Sequence, residues 1–141
     1  MTAEDEVREA SRQFYAALNS LFNGDSGPMA AVWDHGPTVT SLRPFGGREV
    51  GWQAVRDAFA MIAARATGGD NTIHDQIIEV GGDMAYEVGV ERGHLELAGQ
   101  RVPVEYRVTN VYRRRDDGWK MVHHHTDTSP ALIETLRGLT S

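Results

Sequence analysis

The stretch from Arg107 to Ser129, RVTNVYRRRDDGWKMVHHHTDTS, decides much of the fold that this chain can adopt. Apolar and polar side chains alternate on both sides of Asp116-Asp117-Gly118, a combination that is typical of a tight turn. An alternation with a period of two indicates a strand with one buried face. The stretch is therefore predicted to form a β-hairpin of two long strands.

The length of the hairpin loop sets which side chains share a face. A two-residue loop at Asp116-Asp117 places Arg114 opposite Trp119, Tyr112 opposite Met121 and Asn110 opposite His123. One face then carries a polar group consisting of Tyr106, Asn110, His123, His125 and Asp127. A change of one residue would exchange His123 and His125 for His124. We favour the first register.

Length, charge and cysteine content exclude several classes of protein. The chain has 141 residues, a net charge of −6 and no cysteine, and its pI is near 5.4. A single domain over residues 1–141 is expected, without disulfides or thiolate metal ligands. The acidic balance argues against a nucleic-acid partner. No apolar run approaches the ~20 residues of a membrane span, and the acidic MTAEDEVREA start does not resemble a signal peptide, so a cytoplasmic location is expected.

Helices are predicted in the first half of the chain and at its end. Thr2 and Asp5 suit a helix start, and apolar residues at helical spacing extend from Val7 to Leu21. A short helix is expected over residues 29–33, and a third over residues 52–66 that ends at Gly68-Gly69. Ser129-Pro130 is predicted to open a last helix, whose Leu132, Leu136 and Leu139 can pack on the body.

Strands are predicted for residues 38–42 and for most of the chain after Thr72. In the segment from Met84 to Leu97, the apolar positions change parity from Met84, Tyr86, Val88 and Val90 to Leu95 and Leu97. A parity change next to Gly93 predicts a β-bulge that bends the strand. Helices separated from an antiparallel sheet define an α+β fold, and a bent sheet around a helix leaves a concave pocket for a ligand.

Four stretches together resemble the nuclear transport factor 2-like superfamily, in particular its SnoaL-like and ketosteroid-isomerase-like proteins. They are Phe14–Asn19, Gly36–Gly47, Gly51–Phe59 and the hairpin of residues 107–129. The hairpin also looks like the association domain of calcium/calmodulin-dependent kinase II. The resemblance implies a cone-shaped α+β fold with a pocket between helices and sheet, and a homodimer formed through the other face of the sheet.

The superfamily includes isomerases, cyclases, epoxide hydrolases, dehydratases and non-catalytic assembly domains, so the resemblance leaves the function open. The position of the tyrosine that stabilises the oxyanion in the isomerases corresponds to Phe14, with Tyr15 one residue away. The position of their aspartate base corresponds to Ser41. Because Phe cannot donate a hydrogen bond and an isolated Ser is a poor base, steroid isomerase activity is not expected.

His123, His125 and Asp127 are the candidate catalytic residues. In the functional interpretation a histidine transfers protons to or from a small molecule and Asp127 orients it. In the alternative they form a polar wall or an interface that hydrogen bonds satisfy. His-x-His with Asp127 also has suitable metal ligands, but the sequence marks no further ligand, so neither a metal nor another cofactor is expected.

Six further residues are candidates for binding the substrate: Trp33, Ser41, Arg43, Trp52, Tyr106 and Asn110. An arginine in the pocket would favour a carboxylate or another anion. Two functions follow from these residues and from the resemblance. The first is a small-molecule pocket protein with isomerase, lyase or hydratase chemistry, and the second is a non-catalytic dimerisation or ligand-sensing module.

Overall fold

Helices and strands follow the predicted α+β order. The computed structural model describes residues 1–140. The elements in chain order are α1 (Ala3–Phe22), α2 (Met29–Val32), β1 (Thr40–Leu42), β2 (Glu49–Val50), α3 (Trp52–Arg65), β3 (Ala66–Gly81), β4 (Met84–Leu97), β5 (Gln100–Arg115), β6 (Gly118–Thr126) and α4 (Pro130–Thr140).

The strands form a six-stranded open sheet in the order β2-β1-β6-β5-β4-β3. Strands β3 to β6 pair antiparallel with their chain neighbours, and β1 pairs parallel with β6. The inner face of the sheet packs on α1 and α3 around a core that includes Phe14, Leu18 and Phe59. The predicted α+β class with a curved sheet around the helices is confirmed.

Helix α1 begins at the predicted capping sequence. The backbone N–H of Asp5 donates to the Thr2 hydroxyl at 3.1 Å, and the Thr2 N–H donates to the Asp5 carboxylate at 3.0 Å. This reciprocal pair satisfies two of the donors that a helix N-terminus leaves without partners. It fixes the start of the helix whose inner face carries Ser11 and Tyr15 into the core.

The central hairpin has the predicted loop but a different register beyond it. Tyr112 lies opposite Met121 and Arg114 opposite Trp119, as predicted. The register then shifts, so that Val111 pairs with His123 and Asn110 pairs with His124. The prediction that Asn110 faces His123 is therefore wrong. The cause is a β-bulge at Val122, which adds one residue to β6 and exchanges the faces of all residues after it.

Strand β4 keeps one parity along its whole length, contrary to the prediction of a bulge near Gly93. Its pairing with β5 is continuous from Met84 to Leu97. The side chains that are buried under the helices are Ala85, Glu87, Glu91, Leu95 and Leu97. Tyr86 lies on the opposite face and is 46% exposed. Two carboxylates therefore point into the core, and the apolar residues that suggested a core face point outward.

Gly93 marks a close approach of two strands. A Cβ atom at Gly93 would lie 1.8 Å from the carbonyl oxygen of Asp70 on β3, so no larger residue fits there. The pairing of β3 with β4 shifts register twice, between Ala66 and Gly68 and between His74 and Ile77 on β3. Asp75, within the second shift, has a positive φ of 54°. The bend was thus predicted in the wrong strand.

The boundary between α3 and β3 also differs from the prediction. Helix α3 ends at Arg65, and Gly68 and Gly69 lie within β3 rather than after a helix. At the other end of the chain, the Leu132 N–H donates to the Ser129 hydroxyl at 3.2 Å, as expected for the predicted cap. Leu132 is fully buried, whereas Leu139 is 38% exposed. No helix in residues 1–140 has the length and apolar character to cross a membrane.

Candidate functional site

A small cavity lies between the helices and the inner face of the sheet. Its volume is about 30 Å³, room for about two water molecules. Its polar lining consists of Arg43, Glu91, Tyr106 and His124. The rest of its wall is apolar and includes Leu18, Leu21, Phe22, Phe45, Phe59, Ile62, Leu95 and Leu132. Convergent titratable groups in a mostly apolar cavity are the usual sign of a binding or catalytic site.

His124 has a defined tautomer because the side-chain amide of its neighbour Asn110 can form its hydrogen bonds in only one orientation. Its Nδ1 lies 2.6 Å from Oδ1 of Asn110. The Asn110 amide nitrogen donates to the Glu87 carboxylate at 2.9 Å and to the Tyr15 hydroxyl at 3.1 Å. An ionised carboxylate only accepts hydrogen bonds, so the amide cannot be reversed. His124 therefore carries its proton on Nδ1, and Nε2 is the ring nitrogen with the lone pair.

Burial keeps His124 neutral. Loss of hydration is the largest cause that lowers the pKa of His124, to about 3, and the charges of His123, His125 and Arg43 add to it. The ring also packs against Phe14, with centroids 5.1 Å apart. A neutral imidazole with a bare Nε2 is suited to accepting a hydrogen bond from a hydroxyl group of a ligand.

Glu91 is the group in the cavity that can exchange a proton near neutral pH. Its carboxyl accepts hydrogen bonds from Tyr15 Oη at 2.9 Å and from Asn71 Nδ2 at 2.8 Å. Burial raises the pKa of Glu91 to about 7, the two hydrogen bonds oppose this effect, and the charge of Glu87 adds to it. Both protonation states are therefore populated at neutral pH, which general acid–base catalysis requires.

Glu87 lies outside the cavity and holds Asn110, the hydrogen-bond partner of His124. The donors to this fully buried carboxylate are Ser11, Gln76, Asn110 and Tyr112. Four donors suit the ionised form of a carboxyl group, which offers acceptor sites alone. Burial, followed by the charge of Glu87, raises the pKa of Tyr112 well above its ordinary value, so this phenol remains a donor.

Tyr106 supplies a hydroxyl group to the same cavity. Burial and then the charge of Glu91 raise the pKa of Tyr106 well above its ordinary value. The phenol therefore stays protonated and can donate a hydrogen bond to an oxygen atom of a ligand. Tyr106 had been predicted as a substrate-binding residue, and the structure brings it to the wall of the cavity.

The predicted catalytic histidines lie on the other face of β6, away from the cavity. His123 is half-buried, and its Nδ1 is 2.6 Å from the Thr40 hydroxyl. His125 is exposed, and its ring centroid lies 5.8 Å from that of His123. The bulge at Val122 causes this exchange, since it turns His124 inward and its two neighbours outward.

Asp127 bonds to an arginine rather than to a histidine. Its carboxylate accepts from Arg107 Nε at 2.8 Å, from Arg107 Nη2 at 3.0 Å and from the Arg107 backbone N–H at 3.1 Å. These hydrogen bonds, first from the side chain and then from the backbone, lower the pKa of Asp127 to about 2. The structure thus places Asp127 in an exposed ion pair with Arg107 rather than in the predicted pair with a histidine.

The remaining predicted binding residues are divided between cavity and core. Trp33 is buried against Phe59, with ring centroids 6.0 Å apart, and Trp52 stacks on His35 at 4.4 Å. Ser41 is fully buried opposite His124 in the β1–β6 pairing. Arg43 lines the cavity, whereas Asn110 acts on it through His124.

Sequence reasoning missed Tyr15, Glu87 and Glu91. The signal was present in β4, because Glu87 and Glu91 have the same parity as Leu95 and Leu97. Extending the apolar parity backwards from Leu97 would have placed both carboxylates inside. No group of three or more His, Asp or Glu side chains in residues 1–140 is arranged to hold a metal ion.

The fold and this inward-facing cavity define a protein of the nuclear transport factor 2-like class. Residues 7–130 match the SnoaL-like domain. The chain therefore belongs to the SnoaL-like domain family. It has no significant sequence match among curated proteins.

Several solved structures have the same fold. A presumed dehydratase of the NTF2-like family from Streptomyces avermitilis is 25% identical, with a TM-score of 0.79 over 92% of this chain and 97% of the other. A presumed calcium/calmodulin-dependent protein kinase type II association domain from Thiobacillus denitrificans is 26% identical, with a TM-score of 0.67 over 86% and 94% of the two chains. An NTF2-like superfamily protein from Salmonella enterica is 17% identical, with a TM-score of 0.80 over 89% and 90%, and this similarity shows the fold alone.

Proposed function

We propose that this protein is an enzyme that transfers a proton on a small carbonyl compound, as an isomerase or a dehydratase. The observation that carries the proposal is a buried carboxyl group, Glu91, whose pKa lies at about 7 in a cavity that it shares with Tyr106 and His124. Removal of a proton from the carbon atom next to a carbonyl group is a reaction step that uses a general base with a pKa near neutral pH. The dehydratase name of the 25% identical relative agrees with this class of reaction.

Three of the four polar groups of the cavity, Glu91, Tyr106 and His124, have a role in this reaction. Ionised Glu91 takes the proton from the carbon atom next to the carbonyl, and Tyr106 donates a hydrogen bond to the oxygen that becomes negative. Neutral His124 accepts a hydrogen bond at Nε2 from a substrate hydroxyl. In an isomerase Glu91 returns the proton to another carbon atom. In a dehydratase it gives the proton to the departing hydroxyl group, which leaves as water while the carbon–carbon double bond forms.

A substrate must widen the cavity, because the present volume of about 30 Å³ excludes an organic molecule. The lining includes Phe45 in the loop after β1 and Leu132 in α4. These two elements are joined by a hydrogen bond from the Ser129 N–H to the Pro44 carbonyl at 2.7 Å. Separation of α4 from this loop would open the mouth without disturbing the sheet.

The proposal is tested by proton exchange on carbon. Small carbonyl compounds are incubated with the protein in D₂O, and the loss of the proton next to the carbonyl is followed by ¹H NMR. The wild type is expected to accelerate exchange for a subset of compounds, and Glu91→Gln to lower the rate by about 10²-fold or more, the usual contribution of a general acid or base. Glu79→Gln, on the exposed part of β3, is the matched control. Equal rates for both variants would contradict the proposal.

We further propose that the protein forms a homodimer through the outer face of the sheet. This dimer is expected both for an enzyme and for the alternative function, a non-catalytic dimerisation or ligand-sensing module. Ile77 and Tyr86 on that face are 56% and 46% exposed. Apolar residues that share an exposed face suggest a protein contact. The 26% identical relative named as an association domain agrees with self-assembly.

A further inference from the structure

Arg43 is a buried cation with an incomplete set of partners. It follows β1 and reaches the wall of the cavity, where its side chain is 10% exposed. Its Nη2 donates to Glu49 Oε1 at 2.9 Å, and the Glu49 side chain is 15% exposed. The charge of Arg43 is therefore balanced, but by a contact that uses one nitrogen of the guanidinium group.

The other guanidinium nitrogens have no acceptor. Within residues 1–140, Nε and Nη1 of Arg43 are buried and make no hydrogen bond, and the same holds for Oε2 of Glu49. A buried donor without an acceptor destabilises a protein, and a charged donor does so more strongly. A fold that keeps such donors at the wall of a cavity indicates that a ligand supplies the acceptor.

We propose that Arg43 is the binding subsite for the carboxylate group of a small ligand with an apolar body. The guanidinium group matches a carboxylate in shape and charge, and a water-excluded setting strengthens the contact. The subsite rests on the proposed function in one respect, namely that the cavity admits a small molecule.

The wall around Arg43 sets the rest of the ligand. Apart from the four polar groups, the lining consists of aliphatic and aromatic side chains, including Leu18, Phe22, Phe59 and Leu132. Such a wall offers no partners to the hydroxyl groups of a sugar or to a second charge, and burying them there is unfavourable. The ligand class is therefore a monocarboxylate with an aliphatic or aromatic body.

Glu49 sets the strength of the subsite. Its carboxylate shares the guanidinium group with the ligand, and like charges that approach the same cation repel. Replacing Glu49 by Gln removes this competition and keeps the shape of the side chain. The variant Glu49→Gln is therefore expected to bind the carboxylate more tightly than the wild type, an outcome that damage to the fold would not produce.

The test is a titration with hexanoate and with hexanamide, which has the same body without the charge. Binding is followed by ¹⁵N NMR at the Arg43 Nε–H and the His124 ring, up to about 10 mM, roughly tenfold above a weak Kd of about 1 mM. We expect hexanoate to shift both signals and hexanamide to shift neither. Arg43→Met combined with Glu49→Gln, which leaves no unpaired charge, should weaken binding roughly ten- to a hundredfold. Arg56→Met, on exposed α3, should leave it unchanged.

Three results would overturn the subsite. They are equal binding of hexanoate and hexanamide, unchanged binding in the Arg43 double variant, and the absence of any shift up to about 10 mM. Inorganic phosphate that competes as well as hexanoate would also count against it, because the apolar wall would then contribute nothing. If the protein binds the carboxylate but shows no proton exchange that depends on Glu91, the Arg43 subsite stands and the proposed enzyme activity is refuted. If it catalyses exchange on neutral ketones at a rate that does not change when Arg43 is replaced, the enzyme activity stands and the subsite is refuted.

Discussion

Asn110 accepts a hydrogen bond from His124 at 2.6 Å, and the Asn110 amide is itself held by Glu87 at 2.9 Å. The three side chains come from β5, β6 and β4, so three neighbouring strands fix one imidazole ring. Because the carboxylate can only accept, the direction of both hydrogen bonds is determined by Glu87. This series of hydrogen bonds connects Glu87, which lies outside the cavity, to the tautomer of the His124 ring inside it.

The first prediction concerns the tautomer of His124. In Glu87→Gln the new amide can donate, so the Asn110 amide can turn over and accept from it, and its nitrogen then faces the ring. We expect ¹⁵N NMR to show the Nε2–H tautomer of His124 in this variant and the Nδ1–H tautomer in the wild type. Glu79→Gln serves as the control. A single Nδ1–H form in all three proteins would show that Glu87 does not orient the ring.

The second prediction is a loss of stability in acid that depends on His124. Its pKa falls from the ordinary 6.5 to about 3 on folding, so the unfolded chain binds the extra proton first. The stabilising contribution is complete above pH 6.5 and is lost as the pH falls towards about 3. Chemical denaturation of His124→Gln should lack this component, on the order of a few kcal/mol. His74→Gln, exposed on β3, should retain it, and equal slopes for the two variants would argue against a buried neutral His124.

The third prediction has the opposite sign and concerns Glu91. Folding raises its pKa from 4.5 to about 7, so the folded protein binds the proton more tightly. Its contribution is complete below pH 4.5 and is lost as the pH rises through about 7. Relative to the wild type, Glu91→Gln should therefore be most favourable to stability above pH 7. Denaturation at pH 5 and pH 8 measures this difference, and an identical difference at both values would contradict it.

The fourth prediction concerns the outer face of the sheet. Ile77 is 56% exposed, so Ile77→Asp should leave the monomer folded and introduce a charge into the proposed dimer contact. Sedimentation at micromolar concentration should show a dimer for the wild type and a monomer for the variant. Val50→Asp, 44% exposed on β2, is the matched control and should remain dimeric. A monomeric wild type would refute the proposed dimer.

The sequence correctly predicted those parts of the fold that are determined by residues adjacent in the sequence. The loop at Asp116-Asp117 and the cap at Thr2 follow from turn and capping chemistry, and both are as expected. The bulge at Val122 depends instead on how β6 meets β5 and β1, and no residue near it signals an extra position. One inserted residue was enough to exchange His124 with its neighbours in the predicted site.

The buried carboxylates were missed for a different reason. In β4 the apolar face, including Tyr86, points outward and the face with Glu87 and Glu91 points inward. The rule that apolar residues face the core fails where apolar residues also occupy an exposed face and where polar groups lie inside. Burial of these carboxylates becomes favourable only through donors on distant elements, such as Tyr15 and Asn71, which a pattern within one strand cannot reveal.

The measurement that tests the central claim most directly is the titration of the Glu91 side chain by ¹³C NMR, with Glu91→Gln to assign its signal. The structure predicts a midpoint at about 7, with the carboxyl group half protonated at neutral pH. A midpoint near the ordinary 4.5 would show that Glu91 is permanently ionised and cannot exchange a proton as proposed.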